Sequence, residues 1–226
     1  MGIKERQERD REAVRRSILD AARELFVTEG FQNVSMRKIA ERIEYSPAAI
    51  YGYFPSKDDI FFALAEEGFR LLGDPAARRR DPALQDAPPL ERVRAVFWRL
   101  YEFSRDQPQY FALMFVERSV PRISREYERF AFAREMKQHI VEDLQACIDA
   151  GELPRTLNPT VAMRVLTVGV LGVAVLAERL APEENADLLV ADVLDVTLAG
   201  LRSGVTLQSP GFECPLHIPV VDAQAS

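Results

Sequence analysis

The stretch Ser35-Met36-Arg37-Lys38-Ile39-Ala40-Glu41-Arg42-Ile43-Glu44-Tyr45-Ser46-Pro47-Ala48-Ala49-Ile50-Tyr51-Gly52-Tyr53-Phe54 decides the fold. Ser35 is a capping residue, and Met36, Ile39, Ala40 and Ile43 recur on one face of the short helix it opens. Ser46-Pro47 opens another, because a proline at the first helical position loses no hydrogen bond. Only 43–46 separate the two, which is the spacing of a helix-turn-helix. In the second of these helices, Ile50 and Phe54 stand four apart and can face a core. Ala48, Ala49, Tyr51, Gly52 and Tyr53 are left outward. A helical glycine costs ~1 kcal/mol relative to alanine, a cost that makes sense where another surface must come close to the backbone.

Working outward, Val14, Ile18, Ala21, Ala22, Leu25 and Phe26 lay one apolar stripe on a preceding helix that Gly30 stops. Downstream, Pro55 ends the third helix. Ser56-Lys57-Asp58-Asp59 caps a fourth that runs to about Gly73, with Asp59 as a weaker stand-in for the capping-box glutamate. Residues 74–89, with four prolines around Arg78-Arg79-Arg80, read as a linker. Helices are predicted over 90–105, 108–118 and 124–150, with two more starting at Asn158-Pro159 and at Pro182-Glu183-Glu184. From Gly204 the chain is irregular and proline-containing. No strand pattern is present, so the predicted class is all-α: a helix-turn-helix domain over 12–72, a second helical domain over 90–203 and a tail over 204–226.

The 226 residues, 47% hydrophobic and 28% charged, are those of an ordinary globular protein. The net charge of −6 is unevenly placed: residues 1–60 hold eleven basic and eleven acidic side chains, so all of the excess lies beyond them. Two cysteines (Cys147, Cys214) and two histidines supply neither a disulfide framework nor a metal site. No metal or cofactor is expected. A redox role for either thiol would need exposure and a low pKa. The start runs into charge rather than an apolar leader, and the apolar run over 165–177 falls short of the ~18 residues a membrane span needs. A cytoplasmic protein with no membrane partner is the expectation.

The outward face of the 47–54 helix fits DNA. Small residues let a helix enter a major groove, and alanine methyls can touch thymine methyls. Tyrosine hydroxyls, Ser35 and Lys57 can reach phosphates, and Arg37 a guanine edge or a phosphate. Taken alone, Tyr51 and Tyr53 could equally brace the fourth helix. Residues from about 13 to 72, however, resemble the amino-terminal domain of the tetracycline-repressor (TetR) family. The similarity lies in Ile18-Leu19-Asp20-Ala21-Ala22-Arg23-Glu24-Leu25-Phe26, Gly30-Phe31, Val34-Ser35-Met36-Arg37-Lys38-Ile39-Ala40 and Ile50-Tyr51-Gly52-Tyr53-Phe54-Pro55-Ser56-Lys57-Asp58-Asp59-Ile60. The resemblance implies Ser35, Tyr51 and Lys57 on phosphates and Arg37, Pro47, Ala48, Ala49 and Tyr53 at or near base edges. Two positions depart from the pattern. Glu44 replaces the usual turn glycine, which predicts a left-handed penalty of ~1 kcal/mol or another turn shape. Gly52 replaces a larger side chain.

The same resemblance implies a second domain that dimerises and binds an effector. Val165, Val168, Gly169, Gly172, Val173 and Leu176, with Leu189, Val193, Val196 and Gly200, form apolar, small-residue faces suited to a twofold four-helix interface. The aromatics Trp98, Tyr101, Tyr110, Phe111, Phe115 and Phe130, with Met114, Met136 and His139, could line a site for a hydrophobic or aromatic effector, or simply fill a core. The expected function is a homodimeric, ligand-responsive repressor on a near-palindromic DNA operator. The rival readings are a helical carrier of hydrophobic ligands without DNA binding and an enzyme using the aromatic zone. The latter has no catalytic constellation to support it.

Overall fold

A computed structural model describes residues 2–73, 84, 87–117, 131–181 and 185–209. Among the described residues there are nine α-helices: α1 (Ile3–Glu29), α2 (Met36–Arg42), α3 (Pro47–Tyr51), α4 (Lys57–Leu72), α5 (Pro89–Asp106), α6 (Pro108–Phe111), α7 (Ala131–Asp149), α8 (Pro159–Leu176) and α9 (Ala186–Arg202). No strand occurs among them, and the chain is all-α.

Local capping sets the starts. The hydroxyls of Ser35, Ser46 and Ser56 accept from the amides of Lys38, Ala49 and Asp59, each at 3.2 Å, and Asn158 Oδ1 accepts from Thr160 and Val161. Each satisfies helix N–H groups that lack a partner inside the helix. Asp59 does not close a capping box on the backbone; its carboxylate instead accepts from the Ser56 hydroxyl at 2.6 Å. The start expected at Pro182-Glu183-Glu184 lies outside the described residues, and α9 is capped by Asn185, whose Oδ1 accepts from the amides of Asp187 and Leu188.

The first domain is closed by Ile18, Ala22, Phe26, Ile39, Ile50, Ile60 and Leu64, all fully buried or nearly so. At its centre Phe31 stacks 5.1 Å from Phe26 and edge-on to Phe61 at 5.3 Å. In the second domain, α8 and α9 pack together, and α5 lies against α7, α8 and α9. Val93, Phe97, Tyr101, Leu144, Leu166, Val170 and Leu194 form its core. Cys147 is buried there, its thiol pushed up to about 12 by burial and by nearby Glu152 and Asp143. That is the setting of a packing residue, not of a reactive thiol. Cys214 lies outside the described residues.

The two domains meet at α6. The helix expected over 108–118 is α-helical only through Phe111; Ala112–Val116 forms a π-turn, with the Glu117 amide donating to Ala112 O at 2.9 Å. This segment touches α1 and α4 together. Arg23 on α1 donates to Gln109 Oε1 at 3.0 Å and to Tyr110 Oη at 2.7 Å, and the Glu117 carboxylate accepts from the Phe31 amide at 3.4 Å. Gly68 permits the closest approach of α4: a Cβ there would lie 2.3 Å from Met114 Sδ.

Candidate nucleic-acid interface

The turn between α2 and α3 is a Schellman motif. Glu44 N–H donates to Glu41 O at 3.3 Å and Tyr45 N–H to Ala40 O at 2.9 Å, around a left-handed Glu44 at φ 59°. Those two bonds satisfy the last carbonyls of α2 and turn the chain sharply into α3. Glu44 is the single non-glycine residue with positive φ among the described residues, so the left-handed geometry expected from the sequence is adopted without the residue that suits it.

The α3 helix is short. It ends at Tyr51, and Gly52 is its C-cap (φ −70°, ψ −16°) rather than an interior position; the Tyr53 and Phe54 amides then both donate to Ile50 O. Ile50 is fully buried and Phe54 nearly so. Pro47, Ala48, Tyr51 and Gly52 are exposed, with Tyr51 at 53%, and Ala49 is half-buried. The face left open is small in side chain apart from one tyrosine, as a helix entering a groove requires. Tyr53 is half-buried against the core, with the Arg11 guanidinium 5.9 Å from its ring centroid, and Arg15 lies 5.3 Å from the Phe54 ring. Sequence reasoning missed both arginines, whose place beside α3 is a tertiary contact.

Ser35 caps α2. Arg37, exposed on the first turn of that helix, is held by Glu41 Oε1 at 2.8 Å, which keeps it extended along α2. Lys57 is turned inward. Its Nζ donates to Phe31 O at 2.7 Å and Val34 O at 2.8 Å and sits 4.2 Å from the Phe31 ring centroid. Burial pushes its pKa below the ordinary lysine value, against a smaller opposing effect of Asp58. An ammonium has three donors, so one remains for an external acceptor.

In the second domain the nine candidate effector residues divide. Tyr101, Tyr110, Phe111, Met114 and Met136 are buried, Trp98, Phe115 and His139 half-buried, and Phe130 lies outside the described residues. Tyr101 turns toward α9: its hydroxyl donates to Asp187 Oδ1 at 2.6 Å, beside Arg105. Burial first, then that carboxylate, pushes its pKa up to about 12. Trp98 packs at 5.8 Å from Tyr101. Tyr110 turns the other way, to Arg23 on α1. Phe111 and Phe115 stack at 5.2 Å, and His139 Nδ1 is satisfied by Glu135 O on its own helix.

The candidate dimer residues also divide. Val168 and Val196 are 69% and 72% exposed, and Val165, Leu176 and Leu189 are exposed to a smaller extent. Gly172 is exposed and Gly200 half-buried, each with open space where a side chain would be. Gly169 faces Val193 within the chain, where a Cβ would come to 2.9 Å, and Val173 is buried in the core. Leu188 and Val175, exposed at 64% and 43%, extend the same apolar surface and were not foreseen. Helix α8 is long and apolar enough to cross a bilayer (mean hydropathy 1.9), but one side of it is core.

Residues 18–64 match the family model described as bacterial regulatory proteins, tetR family. The HTH-type transcriptional repressor Rv1474c of Mycobacterium tuberculosis is 39% identical over 66 residues, 29% of this chain and 35% of that protein, so the match spans about a third of that relative's length. The HTH-type transcriptional regulator BetI of Rhizobium meliloti is 27% identical over 66% of this chain and 73% of its own. A solved transcriptional regulator of the TetR/AcrR family from Thermobifida fusca superposes with a TM-score of 0.55 at 27% identity, covering 83% of this chain and 98% of that one. Sequence similarity concentrated in the helix-turn-helix, and shape similarity carried on through the second domain, place this chain in the TetR family of bacterial regulatory proteins.

Proposed function

We propose that the protein is a DNA-binding transcriptional repressor that grips a near-palindromic operator as a homodimer and lets go when a small hydrophobic or aromatic effector occupies the second domain. The observation that carries this reading is the bare face of α3: Ile50 and Phe54 anchor it, while Pro47, Ala48, Tyr51 and Gly52 are exposed. Ser35, Arg37, Ala49, Tyr53 and the remaining donor of Lys57 surround that face. A twofold dimer built on the exposed valines and leucines of α8 and α9 would present two such helices about one DNA turn apart, roughly 34–36 Å.

Release would run through the segment 108–117, which is bonded to α1 by Arg23 and to the α1–α2 connection by Glu117. An effector acts there only if it prefers one arrangement of that segment over another. The relatives named above are regulators and repressors, and catalysis has no place in this proposal.

The test is selection of duplexes from random DNA, followed by binding measured across salt concentrations. Near-palindromic sites bound with a steep salt slope are expected. Tyr51→Ala should weaken binding, and Val168→Asp should split the dimer in sedimentation. Site-specific binding by a Val168→Asp monomer as tight as wild type would refute the dimeric model. Failure of the wild type to select any site would favour the carrier reading.

A further inference from the structure

The helix α1 begins long before it has anything to pack against. Residues 4–13 are exposed, and burial begins only at Val14 and Ile18. Some ten residues, or about 15 Å, therefore project as a helix that is polar all round. This projection runs beside the recognition helix, because Arg11 lies over Tyr53 and Arg15 over Phe54. At 100° per residue, Lys4, Glu8, Arg11 and Arg15 fall within an arc of about 60°, and the two stacked arginines fix that arc as the side facing α3. Two neighbouring carboxylates are occupied elsewhere: Glu5 accepts from the Gly2 amide at 2.9 Å, and Glu12 pairs with Arg15 at 3.5 Å. Lys4 and Arg11 make no ion pair among the described residues. The stripe thus presents three cations to one acid, although the segment as a whole is neutral.

We infer that the projecting half of α1 is a second DNA-contacting element, in which Lys4 and Arg11 follow the phosphate backbone flanking the bases faced by α3. The occupant is argued from charge complementarity and from continuity with the α3 face, and the inference rests on the DNA-binding reading above. Lys4 and Arg11 are seven residues apart, about 10 Å along the helix, or roughly three base-pair steps of one strand. Such phosphate-directed cations add affinity and length to the site but carry no sequence preference.

The test uses the full chain on a duplex selected by the wild type. Neutralising one phosphate-bound cation lowers the slope of log K against log salt by about 0.9, so Lys4→Gln and Arg11→Gln should each lower it by about 1.8 per dimer. Each should weaken all duplexes by the same factor and shorten the hydroxyl-radical footprint at its outer edges. Glu8→Gln, which removes the one acid from the stripe, should strengthen binding. Arg9→Gln, about 140° around the helix from Lys4, should leave the slope unchanged. If Arg9→Gln moves the slope as much as Arg11→Gln, bulk charge is responsible and the inference falls. It falls too if neither Lys4→Gln nor Arg11→Gln moves it; Lys4 makes no stacking interaction whose removal could confuse the result. A wild type that selects no duplex would overturn the DNA-binding reading itself, and would be seen before any variant was made.

Discussion

Replacing Lys57 with methionine keeps the side-chain stem and removes only the ammonium. That ammonium bonds two carbonyls, Phe31 O at 2.7 Å and Val34 O at 2.8 Å, and faces the Phe31 ring at 4.2 Å. Phe31 O also accepts from the Val34 amide at 3.4 Å, so it keeps a partner; Val34 O, in a residue 1% exposed, is the group left stranded. Hydrogen bonds to charged groups contribute ~1.5–3 kcal/mol each, but ammonium desolvation, visible in the lowered pKa, offsets part of that. The low end for two bonds gives a loss of about 2–3 kcal/mol, on the order of 5–10 °C in a chain of this length. Denaturation followed by circular dichroism measures it. The single tryptophan, Trp98, lies in the second domain and reports separately on whether the damage stays in the first. A loss below about 0.5 kcal/mol would refute the reasoning, since truncating a solvated surface lysine costs no more than that. The salt slope of DNA binding answers a further point: a slope unchanged by Lys57→Met would make the residue an internal strut and remove it from the phosphate-binding set.

Glu44→Gly should stabilise the protein by roughly 0.5–1 kcal/mol, because relief of the left-handed penalty exceeds the extra chain entropy of glycine; a destabilised variant in urea titration would contradict the φ of 59°. Gly68→Ala should cost about 1 kcal/mol, as crowding against Met114 outweighs the gain in helix propensity. In a Met114→Ala background the same substitution should stabilise, and an equal cost in both backgrounds would rule out the crowding. Tyr101 favours its neutral form when folded, so its contribution to stability is present below pH ~10 and lost as pH rises through about 12. Tyr101→Phe should flatten the stability profile in that window, leaving the slope due to Tyr110, whose pKa burial also raises; parallel profiles would show that Tyr101 carries none of the dependence.

What could be read from the chain was what local chemistry decides. Ser35, Ser46, Ser56 and Asn158 cap helices because a side-chain oxygen reaches an amide two or three residues on, with no help from the rest of the fold. The strain at Glu44 was legible only as a departure from a family pattern. The burial of Val173 was not legible, because α8 is apolar around its whole circumference and periodicity cannot choose which side faces inward. Lys57 turned inward on a long stem, and Arg11 met Tyr53 across forty-two residues of chain; neither is visible in spacing. The division of the aromatics, with Tyr101 directed to Asp187 and Tyr110 to Arg23, likewise follows from packing between helices far apart in sequence.

The π-turn at Ala112–Val116 holds one residue more than an ordinary helical turn. It therefore has the form of a single-codon insertion that was retained. Excising one residue there would close a regular turn and rotate everything beyond it by about 100° while drawing it back about 1.5 Å. Glu117 would swing off the Phe31 amide, and the chain leading to α7 would leave on a different heading. A one-residue deletion at this junction thus amounts to a re-aiming of one domain relative to the other, a larger geometric step than any side-chain exchange in the same segment.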